Sequence, residues 1–149
     1  MNEELENILH REGLELAEIK KRSMAFVIDE MLLSFLLIFA IWDSFISATT
    51  MEDIIIVTNM FVLEYMSMKI FYQAFFTMQY GASLGKIVMK IRVIEIKTLD
   101  NPNVINSLNR AIFRVISEML FYLGFLWGMM DPLRRTWHDH TAKTLVVNA

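Results

Sequence analysis

The chain has 149 residues, enough for one domain, and 55% are hydrophobic, above the roughly 45–50% usual in soluble domains. A net charge of −3 gives no electrostatic footing for nucleic acid, and the absence of cysteine excludes disulfides and thiol catalysis. Five glycines and two prolines leave no room for a flexible linker.

Residues 1–21 predict a cytoplasmic amphipathic helix. Leu5, Ile8, Leu9, Leu14, Leu16 and Ile19 stand among six glutamates, with Gly13 a point of interruption. Its acidity disfavours adhesion to anionic lipid. Packing on the protein's own basic cytoplasmic surface, or on a second copy, is expected instead. This polar start does not resemble a cleavable secretion signal.

Residues 22–149 read as a membrane domain. Apolar runs at 26–47, 54–78 and 111–130 each reach the roughly 20 residues a helix needs to cross a bilayer. The first two lack the continuous polar face of a soluble bundle helix. No Lys or Arg occurs between Arg22 and Lys69. Arg11, Lys20, Lys21 and Arg22 precede the first run, and Lys86, Lys90, Arg92, Lys97 and Arg110 follow the second. The positive-inside rule therefore puts the N-terminus and residues 80–110 in the cytoplasm.

The third run has basic residues at both ends. "IRVIEIK" (91–97) and "TLVVN" (144–148) read as strands. Neither is stable alone, and their pairing requires both on one side of the membrane. This favours a third run that enters and returns, with Gly124 and Gly128 as break points. A straight crossing is the alternative. The expected fold is an all-α membrane protein: a helical transmembrane bundle with a small cytoplasmic two-stranded β element.

Charges inside the runs are the candidate functional residues. An ionisable group in a membrane helix costs about 2.5–3.5 kcal/mol on insertion scales, so it usually faces the bundle interior or a wet cavity. Asp29 lies two helical turns after Arg22, about 10 Å along the axis, so a third group is expected between them. Glu64 and Lys69 share the second run, and Arg114 and Glu118 are spaced as a helical ion pair. Glu30 reads as solvated at the membrane edge.

Two motifs are set aside. "WHDH" (137–140) has only His10 as a further histidine, too little for a metal centre. "GASLGK" (81–86) is one residue short of a phosphate-binding loop. It reads as a turn into an interfacial segment whose Lys86 and Lys90 reach lipid headgroups. No nucleophile–base pair stands out, so no enzyme activity and no cofactor are expected.

"RSMAFVIDEMLLSF", "QYGASLGKIVMKIRVIEI", "LNRAIFRVI" and "MMDPLRRTWHDHTAKTLVV" together resemble the RDD family of small membrane proteins, named for one Arg and two Asp. The resemblance covers about residues 20–148 and makes Arg22, Asp29 and Asp139 the three namesakes. It departs at His140, where the family more often has a basic residue. It implies a bacterial inner-membrane location. It also implies exchange of a monovalent cation for a proton, or transport of another small ligand, with Arg22, Asp29, Asp139, Glu64 and Glu118 as the charge cluster. A chain this small would need a homo-oligomer to form a path. The alternative is a non-transporting membrane scaffold in which the same cluster is architecture.

Overall fold

The computed structural model describes residues 2–149. It is mostly helical. Helix α1 (Asn2–Arg11) is followed by α2 (Ile19–Ala40), α3 (Trp42–Ser47), α4 (Met51–Met60), α5 (Val62–Tyr80) and α6 (Leu84–Val88). Strand β1 (Ile91–Glu95), α7 (Val104–Met119), α8 (Leu123–Met130), α9 (Trp137–Ala142) and β2 (Thr144–Asn148) complete the chain. Among the described residues, helix α2 alone is long and apolar enough to cross a membrane, and α4–α5 and α7–α8 qualify only as bent pairs.

Both bends have local causes. The α4–α5 pair turns by 54° at Phe61, just after Thr58 turns its hydroxyl back on the Ile54 carbonyl at 2.8 Å. Such back-bonding weakens and bends helices. The α7–α8 pair turns by 105°, which corrects the expectation of breaks at the glycines. The break falls at Phe121 and Tyr122, both left-handed at φ 57° and 62°. Two such residues in succession cannot continue a right-handed helix. Tyr122 is held there by its N–H on the Ser117 carbonyl at 2.9 Å and by ring contacts with Phe26 and Phe125. Gly124 instead provides close approach, since a Cβ there would lie 2.3 Å from Ser117 Oγ.

The strands pair as their sequences suggest. β1 and β2 run antiparallel, Ile91 opposite Asn148 and Glu95 opposite Thr144. Alternation sends Ile94, Leu145 and Val147 to one face, where Leu5 and Leu9 of α1 cover them with Leu133. Ile91, Val93 and Val146 face the other way, against Ala17 and Ala25.

Residues 1–21 are not one helix. Gly13, at φ +65°, turns the chain after α1, and Leu16 bridges to Val147 along the free edge of β2. The Ala17 N–H donates to the Val146 carbonyl at 3.0 Å. The segment therefore covers a sheet edge that would otherwise present unpaired backbone groups. It shares the core of the strand pair, and the boundary expected at 21/22 falls inside α2.

Helices α2 and α7 are inverted relative to soluble ones. α7 buries Ser107, Arg110, Ala111, Arg114, Val115 and Ser117 at helical spacing. It exposes Ile105, Leu108, Ile112, Ile116 and Met119. α2 buries Ala25, Asp29 and Leu33 and exposes Met24, Val27, Met31, Phe35 and Phe39. α5 ends at Gly81 in the left-handed C-cap conformation, and the Gly81 carbonyl receives the Val93 N–H at 2.7 Å. α6 then lies flat against α2.

That contact depends on Gly85. A Cβ there would stand 2.2 Å from the Ala25 carbonyl oxygen and 2.8 Å from Asp29 Oδ1, so α6 would have to lift away. Overpacking of this kind costs about 1–3 kcal/mol. Gly85→Ala should lower the melting temperature of the detergent-purified protein. An unchanged melting curve would show that α6 can move without loss.

Candidate functional site

Three charged clusters lie inside the helices. The first centres on Asp139, which is fully buried. Arg22 Nη2 donates to Asp139 Oδ2 at 2.6 Å, and Arg22 Nη1 donates to the Arg134 carbonyl. Arg110 Nη1 donates to Asp139 Oδ1 and to Thr144 Oγ1. Thr136 completes the set, its N–H and hydroxyl both donating to Asp139 Oδ2, at 3.0 and 2.9 Å. "TWHD" thus forms a capping box that starts α9, and "WHDH" is helical.

Burial pushes the Asp139 carboxyl upward, but the Arg110 and Arg22 guanidiniums outweigh it and hold it well below the usual carboxylate range. His138 is held neutral. Burial and the surrounding guanidiniums push its imidazole well below the ordinary value of 6.5, against the pull of Asp139. Its Nε2 lies 2.9 Å from Thr136 Oγ1. That hydroxyl's single proton is directed to Asp139. Nε2 must therefore carry the donated proton, leaving Nδ1 a bare acceptor.

The second cluster centres on Asp29, also fully buried. Tyr72 Oη and the Gly85 N–H donate to Oδ1, each at 2.8 Å. Ser83 Oγ and Gln73 Nε2 donate to Oδ2 at 2.6 and 3.4 Å. Arg114 Nη1 stands 4.0 Å away. Asp29 thereby fastens α2 to α5 and to the start of α6. It does not meet Arg22 through a third group, because Arg22 is turned to the tail. Four donors satisfy Asp29 locally.

The third cluster joins α2, α5 and α7. Lys69 Nζ lies 2.9 Å from the Glu30 carboxylate and also pairs with Glu118. Arg114 Nε approaches Glu118 Oε1 at 3.5 Å, the expected helical spacing, though the angle does not make a hydrogen bond. Glu30, expected to be solvated, is instead half-buried and also accepts from Tyr65 Oη at 3.3 Å. Glu64 belongs to none of these clusters. It sits on the exposed side of α5, because the residue that faces inward from that helix is Lys69, five positions on.

Lys86 corrects a further expectation. It does not reach lipid headgroups, being 6% exposed with its Nζ lacking any hydrogen-bond partner. The tight α6–α2 contact at Gly85 turns the next side chain inward. Burial, then Arg110 and Arg114, push its ammonium well below the ordinary lysine range, with only Asp29 and Asp139 opposing them. Lys90 is exposed.

Lys86 opens into a cavity of about 300 Å³ between α2, α6, α7 and α8. Arg22, Asp29, Arg110, Arg114, Arg134 and His138 contribute to its polar wall, and Phe26, Val27, Tyr122, Phe125, Leu126 and Met129 to its apolar wall. No group of acids and histidines suited to a metal ion occurs among the described residues. Sequence reasoning missed Tyr72, Ser83 and Arg110 as cluster members. The signal for Arg110 was present: it shares a helical face with Ser107, Arg114 and Ser117, a polar stripe on an otherwise apolar segment.

The arrangement defines a class: a helical protein with apolar flanks, charged groups paired inside, and a C-terminal strand locked to its first long helix by an Arg–Asp–Arg clamp. The chain belongs to the RDD family, whose model matches residues 16–143. No curated protein and no solved structure matches it. The family and the apolar α2 together point to a membrane protein.

Removing one partner of a buried ion pair costs about 3–5 kcal/mol, because the other charge is stranded. Asp139→Asn strands both Arg22 and Arg110. It should lower the melting temperature and expose residues 131–149 to protease; a tail as resistant as in the native protein would show that the clamp does not hold it.

Acid should act on the same region. His138 gains a proton near pH 6.5 when unfolded but well below that when folded. Its neutral form therefore contributes stability above pH 6.5 that is lost as pH falls. Asp139 contributes stability above 3.8 that is lost as pH falls through its lower folded value. Thermal melts between pH 7.5 and 5 should show declining stability, and the His138 part of the decline should vanish in His138→Gln.

Proposed function

We propose that this chain is a polytopic integral membrane protein of the bacterial inner membrane. Its N-terminus and strand pair are cytoplasmic, and it receives a small ligand in the cavity beside Lys86 as a step in transport. The observation that carries this reading is the cavity itself. It is bounded on one side by apolar residues that are exposed on α2 and α8, and on the other by buried polar atoms without partners. A purely architectural core satisfies its buried polar groups.

The distribution of charge supports the orientation. Basic residues flank α2 only on its N-terminal side, and Asp43, Glu52 and Asp53 occupy the segment beyond it. The bend of α7–α8 supports a third segment that enters the membrane and returns, keeping β1 and β2 together on one side. Lys90 is then placed to contact headgroups. Completion of a path by further copies of the chain belongs to the same reading.

Exchange of a cation at Asp29 has less support. Its two oxygens already accept from four groups, and a cation would have to displace them. Glu118 is committed to Lys69 and lies beside Arg114.

The chain has no cysteine, so single thiols report cleanly. Ser23 lines the cavity mouth and Asp43 lies beyond α2. In reconstituted vesicles of known orientation, a membrane-impermeant maleimide should label Ser23→Cys from the N-terminal side only. Asp43→Cys should react from the opposite side only. Labelling of both from one side would remove the crossing by α2, and an unreactive Ser23→Cys would remove solvent access to the cavity.

A further inference from the structure

The cavity has a charge asymmetry that no exchange of cations requires. Five cationic side chains line it against one carboxylate, Asp29. Asp139 lies behind this wall and is already shared by Arg22 and Arg110. Asp29 is satisfied by neutral donors. Lys86 Nζ and Arg114 Nη2 have no hydrogen-bond partner, and each residue is only 6% exposed. Arg114 has Glu118 and Asp29 within 4.0 Å, whereas Lys86 is paired with no acid among the described residues. Buried charge without a counter-charge is costly. Lys86 and Arg114 both line this space, and an ammonium with a guanidinium makes a pair of donors from which phosphate oxygens accept. His138 lines the same space, its Nδ1 is an acceptor without a partner, and a ligand hydroxyl would satisfy it.

The opposite wall sets the rest of the ligand. Val27, Leu126 and Met129 line the cavity and are themselves exposed on the apolar flank, at 52, 53 and 63%. The cavity therefore opens between α2 and α8 onto the surface that faces lipid in the reading above. A ligand with a charged head at Lys86 and an apolar chain leaving past Leu126 matches both walls. A small inorganic anion matches only one.

We propose that this cavity seats an anionic phospholipid with a hydroxyl-bearing headgroup, its phosphate held by Lys86 and Arg114 and its acyl chains leaving between α2 and α8. The proposal rests on the membrane reading given above. The phosphate supplies the counter-charge that Lys86 lacks. A headgroup hydroxyl donates to His138 Nδ1. The volume, about 300 Å³, sits at the lower end of ligand cavities and suits a headgroup rather than a whole lipid.

The test uses the full-length protein in nanodiscs of phosphatidylcholine with increasing phosphatidylglycerol. Lipid retained through detergent exchange is counted by native mass spectrometry, and thermal melting is followed in parallel. The expected result is one phosphatidylglycerol per chain, retained at least tenfold more strongly than phosphatidylcholine, with a raised melting temperature. Lys86→Met should abolish this preference while melting no lower than the native protein in phosphatidylcholine alone, because it removes an unpaired buried charge.

A variant that melts lower in both lipids would mark Lys86 as structural and overturn the proposal. So would a variant that keeps the native lipid preference, since contact would then be general. Soluble glycerol phosphate, added in phosphatidylcholine nanodiscs, separates the sources. Equal stabilisation by it would move the ligand from lipid to free phosphate and overturn the lipid assignment. Failure of lipid retention with correct Ser23 and Asp43 labelling would overturn this inference alone. Incorrect labelling would overturn the membrane reading beneath it.

Discussion

The Asp139 carboxylate, held between Arg22 and Arg110, is the constraint on which the rest of the structure depends. Its partners come from the first turn of α2 and the middle of α7, and it sits itself in α9, just before β2. One side chain therefore fixes three distant parts of the chain to one point. It also caps α9 through Thr136. Because β2 pairs with β1, and residues 15–17 pair with β2, the position of the whole strand unit follows from this clamp. A buried carboxylate between two guanidiniums is not in itself a large source of stability, since its desolvation offsets much of the attraction. Its effect is on position: it ties the tail to Arg22 and Arg110 at a single residue.

The helices obey the opposite solvent rule from a soluble protein. Phe39, Leu63, Phe71 and Phe121 are exposed at 66% or more, whereas Arg110, Arg114, Lys69, Asp29 and Asp139 are buried. In water this pattern would lose on both counts, by exposing apolar area and by desolvating charge. In a bilayer it gains on the first and must only pair the second. The pairing explains several otherwise odd residues. Tyr72, Ser83 and the Gly85 N–H exist at Asp29 as donors, and Gly85 has no side chain because any would push α6 off α2. The glycine-rich "GASLGK" is thus a contact motif built around a carboxylate.

Much of this was legible in residue order. The three apolar runs and the strand pair follow from hydropathy and alternation. The tail clamp was legible only through the resemblance to the RDD family, because Arg22 and Asp139 are 117 residues apart and no local pattern links them. Four features were not legible. The Phe121–Tyr122 break depends on left-handed backbone at residues with no special preference for it. Asp29's partners come from three separate segments. Lys86 is turned inward by a neighbour's lack of a Cβ, whereas as a lysine in an interfacial segment it reads as solvated. Glu64 and Lys69 are indistinguishable as charges in an apolar run until the rotation of α5 is known. Periodicity gives that rotation poorly when a helix is apolar nearly all round.

The balance of charge argues about function more directly than the identity of the acids. A site that exchanges a cation for a proton needs a carboxylate able to lose its present partners. Here Asp29 and Asp139 have donors on both oxygens, while Lys86 and Arg114 each keep an atom without a hydrogen-bond partner. Pairing has been arranged so that Asp29, Asp139 and Glu118 are consumed within the scaffold, while Lys86 and part of Arg114 are left facing an open volume. The family's named residues then divide by task. Arg22 and Asp139 lock the tail, Asp29 locks α6, and α6 in turn holds Lys86 against the cavity. On this view the conspicuous acids position a cationic site, and the ligand that site asks for is negative.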